Sequence, residues 1–131
     1  MSITLRKKVN PTMDCLFISQ YDILLNHEKT VGYCWLNLNP TLSQKSGNLG
    51  YYIDPSHRGF SYSLFASLEL FKIAAQAGRK SLTIYCRKDN AASLHICYHL
   101  QQLTHSPAPT CQDNLFIFEI FLLTIPENMV E

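Results

Sequence analysis

At 131 residues the chain is long enough to bury a core of its own and short enough to form one domain over residues 1–131. Apolar residues make up 47%, charged residues only 16%, and the formal net charge is +1, so no strong field draws the protein to nucleic acid or to an anionic membrane surface. No apolar run reaches the roughly 20 residues that cross a bilayer, and no leader-like apolar segment opens the sequence. The expectation is a cytoplasmic protein with neither nucleic acid nor membrane as partner.

Residues 3–8 form a first candidate strand, whose end Arg6-Lys7-Lys8 reads as solvated. Two longer strands, 15–25 and 31–38, are joined by the polar turn Asn26-His27-Glu28-Lys29. Val31, Tyr33 and Trp35 give the second of them the β-branched and aromatic content of a strand. A polar loop at 40–47 leads to a fourth strand at 48–54, stopped by Pro55, which completes an antiparallel meander. From Ser61 onward the period changes: Leu64, Phe65, Leu68, Phe71, Ile73 and Ala74 recur at helical spacing, and Gly78 supplies the stop. A strand at 81–86 follows this crossover and is expected to run parallel to the fourth. Asp89-Asn90 caps a second helix extending to about Gln102. After the Pro107 and Pro109 break, residues 115–123 are nearly all apolar, which fits a buried strand near the sheet centre or a contact between the copies of a homodimer. The predicted class is α+β, with a mixed, mostly antiparallel central sheet and an embedded parallel β-α-β unit.

The five cysteines (Cys15, Cys34, Cys86, Cys97, Cys111) are odd in number, widely spaced and free of any C-x-x-C pair. That favours a reducing compartment over a disulfide framework or structural zinc. His95 and His99 stand one helical turn apart, but no acidic or cysteine partner lies at matching spacing, so no metal is expected.

The most informative stretch is Tyr52-Ile53-Asp54-Pro55-Ser56-His57-Arg58-Gly59-Phe60-Ser61-Tyr62-Ser63. A strand stops at a proline and a small-residue turn runs straight into a helix. Such a junction aims unpaired backbone N–H groups and the positive end of a helix dipole at one spot, which suits a phosphate. Gly59, Ser61 and Ser63 permit close backbone approach, and Arg58 can pair with the anion. The competing reading is a ligand-free strand–turn–helix junction.

These residues resemble the GNAT superfamily of acyl-CoA-dependent N-acyltransferases. The likeness rests on the strand Leu49-Gly50-Tyr51-Tyr52-Ile53, on Pro55-x-x-Arg58-Gly59-x-Ser61-x-Ser63, and on Asn90-x-x-Ser93 after the next strand. It spans residues 31 to about 100. The family's loop motif is Q/R-x-x-G-x-G/A; Ser61 stands where Gly is usual and Ser63 where Gly or Ala is usual. The resemblance implies that Arg58, Gly59, Phe60, Ser61, Tyr62 and Ser63 hold the phosphates of acetyl-CoA. It also implies that the end of the fourth strand (Tyr51, Tyr52, Ile53) pairs by backbone with the pantetheine arm, and that Asn90 and Ser93 line the opposite wall.

By the same resemblance, the fourth strand splays from the fifth and leaves a V-shaped cleft for the thioester, where backbone N–H groups polarise its carbonyl. The family often takes its proton donor from a tyrosine seven residues after the motif Asn. Here that position is Cys97, and Tyr98 lies one residue on, about 100° around the helix. Tyr98 is the candidate acid on this reading, with a packing tyrosine as its alternative. Cys97 lacks the His–acid pair of an activated nucleophile. Asp22, Glu28 and Glu119 are the carboxylates nearest the relevant strands, and none is assigned as the base.

The family's helices between its first and second strands are missing or abbreviated here, since only residues 9–14 intervene. That implies an open acceptor site, suited to a peptide amino terminus or another amine. The expected function is transfer of an acetyl group from acetyl-CoA to a primary amine by direct attack in a ternary complex. The alternative is a degenerate acyl-CoA-binding or interaction module of the same fold.

Overall fold

A computed structural model describes residues 2–8, 18–38 and 47–122. Its elements are β1 (Ile3–Lys7), β2 (Ile18–Leu25), β3 (Lys29–Asn37), β4 (Leu49–Ile53), a short 3-10 turn (Pro55–His57), α1 (Tyr62–Gln76), β5 (Ser81–Arg87), α2 (Ala91–Leu103), β6 (Thr110–Gln112) and β7 (Leu115–Phe121). The strands form two sheets, ordered β1-β2-β3-β4 and β5-β7-β6, and every ladder within them is antiparallel. The α+β class and the meander are as the sequence predicts. Cys15, most of the 40–47 loop and the end of the 115–123 run lie outside the described residues.

Local chemistry explains the turns. Asn26 and His27 both take positive φ, 53° and 65°, as the tight β2–β3 hairpin demands. The Asn26 side chain also accepts a bond from the Ser2 amide at 3.0 Å, which anchors the start of β1.

Helix α1 buries Leu64, Leu68, Phe71 and Ala74, the i, i+4, i+3 recurrence of one helical face. It ends in a Schellman closure: the Arg79 amide donates to Ala74 O and the Gly78 amide to Ala75 O, each at 3.0 Å, with Gly78 at φ 91°. α1 packs on β1, β3 and β4, and α2 on β5 and β7. The shared core includes Ile23, Cys34, Leu68, Phe71, Leu82, Leu100, Phe118 and Ile120.

β7 lies between β5 and β6, which accounts for its apolar run: Phe118 and Ile120 are buried, while Phe121 at its end is 43% exposed. The partner strand β6 was not anticipated. Asp113-Asn114 forms its hairpin turn, with Asp113 at φ 55°, and that dipeptide was the available signal.

The far face of the four-stranded sheet carries an aromatic strip. Tyr33 stacks on Tyr52 with ring centroids 5.3 Å apart, and Trp35 follows at 6.5 Å from Tyr33. The Trp35 ring lies across Gly50 so closely that a Cβ there would sit 1.8 Å from it; glycine at this position makes room for the indole.

Candidate functional site

The two sheets are joined by hydrogen bonds between Asn48 and Thr83. The Asn48 amide donates to Thr83 O at 2.8 Å, and the Thr83 amide donates to Asn48 Oδ1 at 2.7 Å. Three residues further along each strand, Tyr51 and Cys86 are still electrostatic neighbours, so β4 and β5 run in the same direction. No ladder joins them. The strands touch at Asn48–Thr83 and part beyond it.

The edge of β4 that faces this gap is identifiable. Asp54 donates to Val31 O at 2.8 Å, so its backbone points toward β3. By the alternation of an antiparallel strand, the backbones of Gly50 and Tyr52 do the same, while those of Tyr51 and Ile53 face the gap. Tyr51 and Ile53 are thus the residues of this strand placed to pair with an extended ligand. Tyr52 contributes its exposed ring instead, and Arg58 sits over that ring at 5.3 Å. The Arg58 Nε also donates to Ile53 O at 2.8 Å, which folds the arginine back to the strand end, beside the loop.

The loop runs from the short 3-10 turn at Pro55–His57 into α1. The Arg58 amide closes the short turn on Pro55 O. The following amides, from Gly59 through Ser63, meet no acceptor among the described residues. Gly59 takes φ 91°, and a Cβ added there would meet nothing within 4 Å. Glycine is therefore required by the backbone, and the space in front of it is open. Ser61, directly before α1, sits in the left-handed region at φ 62°, ψ 24°, and its side chain makes no capping bond. Phe60 is 58% exposed and stacks on Tyr62 at 5.4 Å, with Tyr62 anchored in the core. Ser63 occupies the first turn of α1. A helix N-terminus, amides with no acceptor among the described residues and a nearby guanidinium thus occupy one end of β4, the chemistry that suits an anion.

The other wall comes from α2. Asn90 caps it, accepting from the Ser93 amide at 3.1 Å. Ser93 Oγ lies 2.9 Å from the Tyr51 hydroxyl, so the phenol spans from β4 to the first turn of α2. Cys97, one turn beyond Ser93, is wholly buried, and its thiol is pushed up to about 12 by burial and by Cys86. It is protonated and inert as a nucleophile.

The remaining candidates lie elsewhere. The Tyr98 ring meets Phe118 edge-on at 5.2 Å and Phe116 at 6.4 Å, on the side of α2 turned to β7 and away from the Tyr51–Ser93 contact. Glu119 accepts from Thr83 Oγ1 at 2.8 Å, which accounts for a carboxylate within an apolar strand. Asp22 pairs with Arg6 at 3.0 Å and Lys8 at 3.7 Å, and Glu28 lies in the exposed β2–β3 turn. The His95 and His99 rings are 6.5 Å apart. Among the described residues no cluster of three or more His, Cys, Asp or Glu forms a cation site, and no helix is long and apolar enough to cross a membrane.

The sequence model of the acetyltransferase (GNAT) domain matches residues 7–101, well over half of the chain. The protein belongs to the GNAT acetyltransferase family. A comparison with curated proteins gave no match. Among solved structures, the fold is similar to that of an acetyltransferase from Agrobacterium tumefaciens strain C58, at 18% identity and a TM-score of 0.61, over 79% of this chain. The match spans 61% of the Agrobacterium chain, and at that identity it is a likeness of fold. The gap between β4 and β5 lies where the resemblance expects the fourth and fifth strands to splay. The Tyr51 side-chain contact with Ser93 was not foreseen. The position of Tyr51 in the strand was legible, but a contact 42 residues away was not.

Proposed function

We propose that the protein transfers an acetyl group from acetyl-CoA to a primary amine. The observation that carries this reading is the coincidence, at one end of β4, of a strand-edge gap and a loop whose amides meet no acceptor among the described residues. Arg58 and the amides of Gly59 to Ser63 would hold the phosphates, and the backbones of Tyr51 and Ile53 would pair with the pantetheine arm. Asn90 and Ser93 would close the other side. Backbone N–H groups on the gap-facing edge would polarise the thioester carbonyl, the preorganised stabilisation that speeds acyl transfer.

Direct attack by the amine is favoured over an acyl-enzyme because Cys97, a thiol beside Tyr51, is held protonated by burial. The carboxylates Asp22 and Glu119 are already paired within the sheets, which leaves the ammonium proton to solvent or to a water relay. A peptide amino terminus or another amine at an open site is the acceptor this reading carries forward. A non-catalytic acyl-CoA-binding module is the second reading, supported by the strained Ser61 in the loop.

Calorimetric titration with acetyl-CoA, with CoA and ATP as controls, tests the donor. Thiol release in the presence of small amines and peptides tests turnover. Saturable binding that is lost in Arg58→Glu, with thiol release dependent on an amine, is the expected result. Binding without release would establish the module, and absence of binding would sink both readings.

A further inference from the structure

Arg58 is held by two contacts within the chain itself. Its Nε donates to Ile53 O at 2.8 Å, and its guanidinium lies over the Tyr52 ring, 5.3 Å from the centroid. An exposed arginine otherwise samples many rotamers, and that freedom is lost when a ligand is bound. Here one hydrogen bond and one cation–π contact have already restricted it.

The ring that holds the arginine is held in turn. Tyr52 pairs with Tyr33 across the β3–β4 ladder, and the two rings stack at 5.3 Å. Trp35 continues the row beside Tyr33, in the room that Gly50 leaves. The aromatic strip on this face of the sheet therefore ends on a cation.

The two contacts leave the end of the guanidinium free. Among the described residues, no carboxylate or other acceptor meets the fork of Nη1 and Nη2. The remaining arginines differ. Arg6 and Arg87 end on Asp22 and Asp89, and Arg79 ends on the carbonyls of Leu38 and Ser81. Aromatic rings take the face of a guanidinium and hydrogen bonds take its edge. Stacking on Tyr52 and a forked bond to an anion are thus compatible.

We propose that Tyr52 is a positioning residue whose ring presets Arg58 for a phosphate of CoA. This rests on the acetyl-CoA reading above, and only on its binding part, so it applies to an enzyme and to a binding module alike. Tyr52 acts through the arginine. The ligand gains an anion partner whose rotamer is already chosen, which is preorganisation supplied by the sheet to the loop.

The test is calorimetric titration with CoA of wild type, Tyr52→Leu, Tyr52→Phe, Arg58→Gln and the double variant Tyr52→Leu/Arg58→Gln, with thermal melts to verify folding. Tyr52→Leu removes the ring and should weaken CoA by about two- to fivefold. Tyr52→Phe keeps the ring and should bind within about 1.5-fold of wild type, since the contact uses the π face and not the hydroxyl. In the Arg58→Gln background, Tyr52→Leu should add no further loss, because the interaction it removes is already gone.

A second readout needs no ligand. In nitrogen-15 correlated spectra the Arg58 Nε–H signal should lie upfield in wild type and in Tyr52→Phe, shifted by the ring current. It should return to the ordinary arginine position in Tyr52→Leu. A Tyr52→Leu protein that binds CoA as wild type does would overturn the proposal. So would an equal loss with and without Arg58, since the ring would then act on the loop by packing alone, and so would an Arg58 signal that Tyr52→Leu does not move. Each of these leaves the acetyl-CoA reading standing. Wild type that binds no CoA would remove that reading and the proposal with it.

Discussion

Asn48 and Thr83 exchange two hydrogen bonds, amide to carbonyl at 2.8 Å and amide to side-chain oxygen at 2.7 Å, and this is where the two sheets are pinned together. The same Asn48 side chain donates to Asn37 O at 2.8 Å. One buried amide side chain therefore satisfies a carbonyl on β3 and an N–H on β5, and it sets the vertex from which β4 and β5 diverge. An aspartate could not donate to Asn37 O, and an aliphatic residue could satisfy neither group.

Asn48→Ala should be among the most damaging single changes in the chain. It strands two backbone groups in an environment where Asn48 itself is 2% exposed. Each unsatisfied buried group costs about 1–3 kcal/mol, so a loss of roughly 2–4 kcal/mol is expected in urea unfolding. CoA affinity should fall with it, because the gap loses its fixed vertex. A loss below about 0.5 kcal/mol, the usual range of a surface change, would show that water substitutes for the side chain and that the vertex is set by packing.

Gly59→Ala separates backbone geometry from sterics. At φ 91° an L residue is strained, yet the new methyl would meet nothing. The change should cost about 1–3 kcal/mol locally, leave the melting transition cooperative, and weaken CoA binding by tenfold or more as the amides shift. Full retention of affinity would mean that these amides do not hold the anion.

Much of this was legible in the sequence because the signals are local. Proline at 55, the Arg58-Gly59 turn and the helical spacing from Leu64 to Ala74 dictate a strand–loop–helix junction without reference to anything distant. The Asn90 cap is likewise a three-residue affair. What stayed hidden depends on contacts between remote segments. The Asn48–Thr83 clamp joins residues 35 apart, and the Tyr51–Ser93 contact joins residues 42 apart; neither leaves a periodic trace. Glu119 looked anomalous only because its partner Thr83 lies across the β5–β7 ladder. β6 escaped because three exposed residues carry no alternation to detect.

Ser61→Gly should stabilise the protein. The serine pays the left-handed penalty, about 1–2 kcal/mol for an L residue, without a compensating capping bond. Glycine gives back about 0.5–1 kcal/mol of that through its freer unfolded chain. A net gain of about 0.5–1 kcal/mol in chemical denaturation is expected, with CoA affinity kept or improved. Destabilisation would indicate that the Ser61 hydroxyl holds the loop in a way its geometry does not reveal.

Ser67→Ala probes a different kind of frustration. Ser67 lies in α1, is fully buried, and its hydroxyl has no hydrogen-bond partner among the described residues. Removing the oxygen deletes an unsatisfied polar group and installs the best helix former, so a gain of about 1 kcal/mol is expected. The variant is far from the loop in chemistry and should leave CoA affinity unchanged. A loss of stability would point to a bound water or a partner that the hydroxyl serves.

The alkaline limb of stability tests the buried thiols. Cys34 is raised from 9.0 to about 12 by burial, with the Asp22 carboxylate adding to it, and Cys97 is raised to about 12 by burial and Cys86. A raised value in the folded state means the native protein keeps protons that the unfolded chain releases. The associated stability is fully present below pH 9 and is lost as pH climbs toward 12. Between pH 9 and 10.5 each thiol should take away up to about 2 kcal/mol, at about 1.4 kcal/mol per pH unit once the unfolded thiol is fully ionised. Urea midpoints measured across that range should fall steeply in wild type and less steeply in Cys34→Ala, whatever that variant loses at neutral pH to the cavity it leaves. An identical slope in the two proteins would show that Cys34 ionises no differently in the folded and unfolded states, and the burial argument for that thiol would fail.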